Sequence, residues 1–247
     1  MATTLDLLNK VLTGLRKPTL GSEITEIPSQ YHALLLQLLN RSKRKVEAAW
    51  DWHALRNTVT VSLTSGTAEY DLTAAGAADM DVGPRSRLLY ENPVYGGHES
   101  SLRIRGSRPQ VFDVTDANEF RLREVTWEQI ERLHFTDSDE QQRPQVFALR
   151  RTASNVQLKV WPTPGSSRTL KMRFVIPQDD LPADDLTTTL TIPAEDAVWL
   201  DALHMANAER GEELGAPNSA LAEDAKAAMW EHIVAERTQA DDTGYPE

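Results

Sequence analysis

Histidine is the side chain best suited to proton transfer near neutral pH, but the six here, His32, His53, His98, His134, His204 and His232, are scattered with no pair at metal-ligand spacing. His53 follows Asp51 by two residues, the one place where a carboxylate could orient an imidazole as a general base. No nucleophile motif accompanies it. The chain lacks a G-x-S-x-G elbow, a G-x-x-x-x-G-K-[ST] phosphate loop, G-x-G-x-x-G and H-E-x-x-H. It also has no cysteine, which removes thiol nucleophiles, disulfides and Cys-ligated zinc or iron–sulfur centres. Asp79 with Asp81, Asp179-Asp180 and Asp184-Asp185 carry the oxygens that Ca²⁺ and Mg²⁺ prefer, yet none has EF-hand spacing. They read as solvated loop charge. The residues therefore predict no catalytic site, no metal and no cofactor.

One charged cluster remains. Arg41, Lys43, Arg44 and Lys45 are the only concentrated positive charge in a chain of 247 residues with 26 Lys and Arg against 37 Asp and Glu, net -11. Such an acidic balance opposes phosphate binding over the surface as a whole. The cluster is expected to meet DNA phosphates locally or an acidic protein face. Residues 201–247 offer such a face, with eleven acidic and three basic side chains. No run of 18 apolar residues spans a membrane, and the start, Met1 to Asp6, has no basic region before an apolar run, so no signal peptide is expected.

These residues sit on elements that hydrophobic period locates. Leu5, Leu8, Leu12 and Leu15 behind a capping Thr3 or Thr4 predict a helix over about 4–16. From Ser29 to about 52, Tyr31, Leu34, Leu35, Leu38, Leu39, Ser42, Val46, Ala49 and Trp50 form the apolar face of a long helix, with the basic cluster opposite. The period then becomes two. Val59, Val61 and Leu63 lead through Thr64–Thr67 to Ala68, Tyr70 and Leu72, a hairpin pattern; Val156, Leu158 and Val160 lead through Trp161–Gly165 to Leu170, Met172, Phe174 and Ile176, a second one. Thr126–Leu133 predicts two helical turns.

Helical spacing returns at Pro193, with Gly215 as its expected stop, and again after Pro217. The six tryptophans read as core or interface anchors. The expected fold is α+β: a four-helix bundle built from N- and C-terminal helix pairs, residues 1–56 and 193–238, with an inserted β-rich domain, sandwich- or barrel-like, over 57–192. Residues 239–247 read as a flexible acidic tail around Tyr245.

Short motifs carry a resemblance. Ala49-Trp50-Asp51-Trp52 closing the long helix, Arg143-Pro144-Gln145-Val146-Phe147-Ala148-Leu149, Val160-Trp161-Pro162-Thr163-Pro164 before Leu170–Ile176, and Pro193-Ala194-Glu195 together resemble the head-to-tail adaptors of tailed bacteriophages, of the tail tubular protein A type. The resemblance implies a structural virion protein without enzymatic activity. It would form a dodecameric ring between the portal protein and a downstream tail tube or nozzle protein, with genomic DNA passing through the lumen and no membrane partner. In such a ring Arg41, Lys43, Arg44 and Lys45 on one copy are expected to meet the acidic C-terminal face of the next, and Tyr245 to anchor the tail on the portal or a neighbour. Two other readings remain open. A carbohydrate-binding or hydrolytic tail accessory would use Trp127 and Trp161 as its aromatic platform, and a nucleic-acid-handling factor would use Arg41–Lys45.

Overall fold

The computed structural model describes residues 1–91, 99–103, 106–136 and 141–242. In chain order the elements are α1 (Thr4–Gly14), α2 (Gln30–Ala49), β1 (Arg56–Leu63), β2 (Glu69–Asp71), β3 (Arg87–Leu88), β4 (Tyr90–Glu91), β5 (Glu99–Ser100), β6 (Arg108–Pro109), β7 (Val111–Asp113), β8 (Phe120–Arg121), β9 (Arg123–Glu124), α3 (Trp127–Thr136), β10 (Gln141–Gln142), β11 (Val146–Arg151), β12 (Val156–Trp161), β13 (Thr163–Pro164), β14 (Arg168–Val175), α4 (Glu195–Glu209) and α5 (Ala220–Asp242). Two compact units divide them: Met1–Leu55 with Pro177–Glu247, and Arg56–Ile176.

In the helical unit, Thr3 caps α1 by accepting from the Asp6 N–H while the Asp6 carboxylate accepts from the Thr3 N–H, a reciprocal capping box. Leu7, Leu8, Val11 and Leu12 form its buried stripe. α4 differs from an ordinary amphipathic helix. Ala197, Val198, Asp201, Ala202, Leu203, Ala206 and Asn207 are all buried, more than one face can hold, so α4 must be enclosed. Accordingly α1, α2 and α5 each pack on α4, and α1 also packs on α2. The N- and C-terminal helices thus share one unit with α4 at its centre. α1 ends at Gly14, where a Cβ would run into the Leu203 side chain of α4, so the close approach requires glycine.

The segment 177–192, expected in the β insertion, instead belongs to the helical unit. It lacks helical period because it is an irregular strap, and Leu181, Leu186, Leu190 and Ile192 are buried. Its backbone accepts from Thr4 and Leu5 at the start of α1, through Thr188 O at 2.9 Å and Leu186 O at 3.0 Å, and Leu190 N donates back to Ala2 O. Asn40 of α2 pairs with Leu181 in both directions, at 3.0 and 2.7 Å. The left-handed residue after α4 is Gly211, at φ 69°, not Gly215, which lies in a 3-10 turn. α5 continues to Asp242, into the stretch expected to be tail.

The β unit holds two principal sheets. One runs β1-β14-β7-β8 with β3 also on β14, all antiparallel; the other runs β2-β12-β11-β9, where only β9 is parallel to its neighbour. Val59, Val61, Leu170, Met172 and Phe174 from the first share one buried cluster with Tyr70, Leu158, Val160 and Phe147 from the second. The sheets thus face each other across that core. Neither expected hairpin forms: β1 pairs with β14, not β2, and β12 pairs with β2 and β11, not β14. Both connections cross from one sheet to the other. α3 is capped by Thr126, with Gln129 returning the bond.

Asp113, the last residue of β7 between β14 and β8, fastens the end of the first sheet. It is fully buried, and accepts from Arg143 Nε at 2.9 Å, Arg168 Nε at 2.6 Å and the Thr115 N–H at 3.1 Å. Burial pushes its carboxyl pKa up, but the Thr115 and Arg168 hydrogen bonds outweigh that and leave it below the ordinary value.

Two outcomes follow from this packing. Leu39→Ala, at a fully buried position of α2, should cost the helical unit about 2–5 kcal/mol, read as a lower urea midpoint at unchanged slope. Because the folded pKa of Asp113 lies below the unfolded value of about 3.9, its stabilisation is present above that pH and is lost as pH falls through the folded value. Asp113→Asn should therefore be less stable than the parent at pH 7, with the gap narrowing as the solution is acidified below about pH 4.

Candidate assembly surface

α2 begins at Ser29, whose hydroxyl accepts from the His32 N–H, and buries Leu35, Leu36, Leu38, Leu39, Ser42, Lys43, Val46 and Glu47. Lys43 is therefore not on the basic outer face. It lies four residues after Leu39 and three before Val46, so helical period turns it inward with them. Its ammonium is fully buried and donates to Glu47 Oε1 at 3.1 Å, Gln178 O at 2.8 Å and Asp179 O at 2.9 Å. Three acceptors match the three N–H donors of a lysine.

The rest of the cluster is divided. Arg44 donates through Nε to Asp180 at 2.9 Å and also through Nη2 to the same carboxylate, which raises the arginine pKa further. Lys45 reaches Asp201 of α4 at 2.5 Å. Arg41 is exposed and has no ion pair among the described residues. Tyr245 lies outside the described residues.

Around α4 a cleft of about 790 Å³ opens beside α1 and the start of α5, walled by Lys10, Trp199, Leu200 and Leu221. Lys10 bridges Glu195 at 3.2 Å and Asp196 at 3.4 Å. Asp196 is held below the ordinary carboxylate range first by the Trp199 indole N–H at 2.7 Å and then by Lys10.

The other sequence candidates have structural work. His53 donates its backbone N–H to Glu236 at 3.2 Å. Asp79 accepts from Thr60 N, Asp81 from Ala74 N, and Asp185 from Thr187 and Thr188. Among the described residues no group of three or more His, Asp or Glu is placed to hold a metal. Trp127 is no open platform: Arg150 lies 4.3 Å and Lys159 5.3 Å from its ring centre. Trp161 packs against the small cluster of Ile130, Val146 and Ala148.

Sequence period does not show which apolar residues stay outside. Tyr31 and Leu34, read as part of the buried face of α2, are 38 and 40 % exposed, and on α5 Trp230 and Val234 are 61 and 55 % exposed. The signal for α5 lies in its neighbours: Ala222, Ala225 and Ile233 define the stripe toward α4, and Trp230 falls off it.

A family model described as SU10 adaptor protein matches residues 2–246 of the chain. No curated protein matches it.

Lys43→Met should leave the Glu47 carboxylate buried without its ammonium and cost about 3–5 kcal/mol, whereas Lys43→Met combined with Glu47→Leu should recover most of that loss. Urea unfolding of both variants checks this. A single variant as stable as the parent would show that the buried pair does not hold α2.

Proposed function

The chain belongs to the SU10 adaptor protein family, and on that premise we propose that it is the head-to-tail adaptor in the neck of a tailed bacteriophage particle. Twelve copies close into a ring that receives the portal protein on one side and the tail tube or nozzle protein on the other. The observation that carries this reading is the family match, which runs through both compact units instead of stopping at either. The protein acts by shape and contact, as a structural component rather than an enzyme.

DNA passes through the lumen without sequence-specific binding. A net charge of -11 per copy supports this, since a wall of the same sign as the phosphates does not retain the duplex. Arg41, with the exposed parts of Arg44 and Lys45, serves contacts between copies or with the portal, while Lys43 acts only inside the fold. Tyr245 and the acidic residues around it reach a portal or neighbouring subunit. No helix among the described residues is long and apolar enough to cross a membrane.

Cryo-electron microscopy of the particle neck should place the chain as a closed twelvefold ring between portal and tail. Particles that contain no copy of it, with the protein recovered only from the surrounding lysate, would overturn the assignment. Removing residues 243–247 should leave the melting temperature unchanged and weaken portal attachment.

A further inference from the structure

The charge of the chain is divided unequally between its two units. Residues 56–176 carry sixteen basic and fifteen acidic side chains, while the helical unit carries ten against twenty-two. Folding then gathers arginines of the β unit that the sequence scatters. A cleft of about 560 Å³ opens where β11 ends and β12 begins, beside β3, with Arg87, Arg103, Arg150 and Arg151 in its wall and Glu124 as their counter-charge. Its floor is apolar: Leu88, Leu149, Val156 and Phe174 belong to, or pack on, the core that the two sheets share.

Period two explains Arg151. Phe147 and Leu149 face the core from β11, and Arg151, two residues on, takes the same side. It lies at the strand end, so its side chain stays exposed and Nη2 donates to Ser86 O at 3.1 Å. A carbonyl does not neutralise the guanidinium, and Arg151 has no ion pair among the described residues. Arg150 is turned instead to Gln157 and the Trp127 ring. Arg103 lies 3.4 Å from Glu124, which also accepts from the Tyr90 hydroxyl at 3.0 Å. Burial and then Glu124 push the Tyr90 phenol pKa up, and Arg103 and Arg151 oppose them, so both guanidiniums act on one hydroxyl.

An apolar floor under a positive rim fits an aromatic side chain flanked by carboxylates. If round, the cleft is roughly 10 Å across, room for an extended segment but not for a helix, which measures about 10–12 Å with its side chains. The chain itself carries such a segment. Asp241, Asp242 and Glu247 flank Tyr245, no basic residue follows Arg237, and Pro246 biases Tyr245 toward an extended backbone. We propose that this C-terminal segment docks in the β-unit cleft of a neighbouring copy, with the Tyr245 ring on Leu149 and the carboxylates on Arg103 and Arg151. The proposal rests on the adaptor reading and gives its tail a specific seat. α5 ends at Asp242, so Tyr245 is three residues and about 10 Å beyond it, and the receiving cleft must lie within that reach. A DNA duplex offers phosphates to the rim, but its stacked bases cannot fill the floor.

A fluorescently labelled peptide of residues 239–247 is titrated with the full chain and followed by anisotropy. Saturable binding that weakens with added salt is expected. Tyr245→Ala in the peptide and Arg151→Glu in the chain should each weaken it more than about tenfold, whereas Arg41→Glu on α2 should leave it unchanged. The peptide substitution leaves the protein untouched, so it decides the matter even if Arg151→Glu fails to fold. Because the chain has no cysteine, Leu149→Cys chain oxidised with Tyr245→Cys chain at high concentration should give a disulfide-linked heterodimer. Absence of saturable binding, binding indifferent to Tyr245→Ala or to a folded Arg151→Glu chain, or a mixture that forms no linked heterodimer overturns the docking. None of these results removes the adaptor reading, which falls only if the particle neck lacks the chain.

Discussion

The helical unit depends on one buried charge. Lys43 brings an ammonium to the interior of α2, where desolvation would cost several kcal/mol without compensation. Compensation comes from Glu47 one turn away and from two carbonyls of the strap, Gln178 and Asp179. Those carbonyls are available only if the strap lies across α2 at that height. With Asn40 holding Leu181 and Arg44 holding Asp180, one turn and a half of α2 fixes four consecutive strap residues. The strap in turn receives the first N–H groups of α1 and leads directly into α4. A polar requirement at one side chain thereby sets where three helices meet.

Much of this was legible in the sequence. Thr3 with Asp6 marks the start of α1, Ser29 the start of α2, and Thr126 with Gln129 the start of α3, because caps act over three or four residues and leave their signature there. Period two placed Val59, Val61, Leu170 and Met172 on an inner face, where they lie. Pairing was not legible, since alternation reports which way a side chain points and not which strand lies beside it. Two strands joined by a short connection and sharing an inner face look the same whether they pair or oppose each other across a core.

The assembly surface was legible only in part. A run of four charges suggested one basic face, yet period turns Lys43 inward while Arg44 and Lys45 find acidic partners within the unit. Sequence distance hides those partners, which lie 136 and 156 residues away. Tyr31 and Leu34 were masked by the apolar stripe that they adjoin. Exposure depends on the side of the helix a residue takes: Leu35 and Leu36 at the same height are buried, while Tyr31 and Leu34 turn away from the unit.

The discontinuity of the helical unit also orders events in time. α1 and α2 are synthesised first, but the strap and α4 that cover Leu7, Leu8, Leu35 and Leu39 begin only after the whole β unit has been made. At translation rates of about 5–20 residues per second, those leucine faces wait on the order of ten seconds for their partners. The intervening β unit is continuous in sequence and can complete its two sheets during that interval. For the ribosome-bound chain, the first segment made is therefore the last to be buried, and it is the segment most in need of a chaperone.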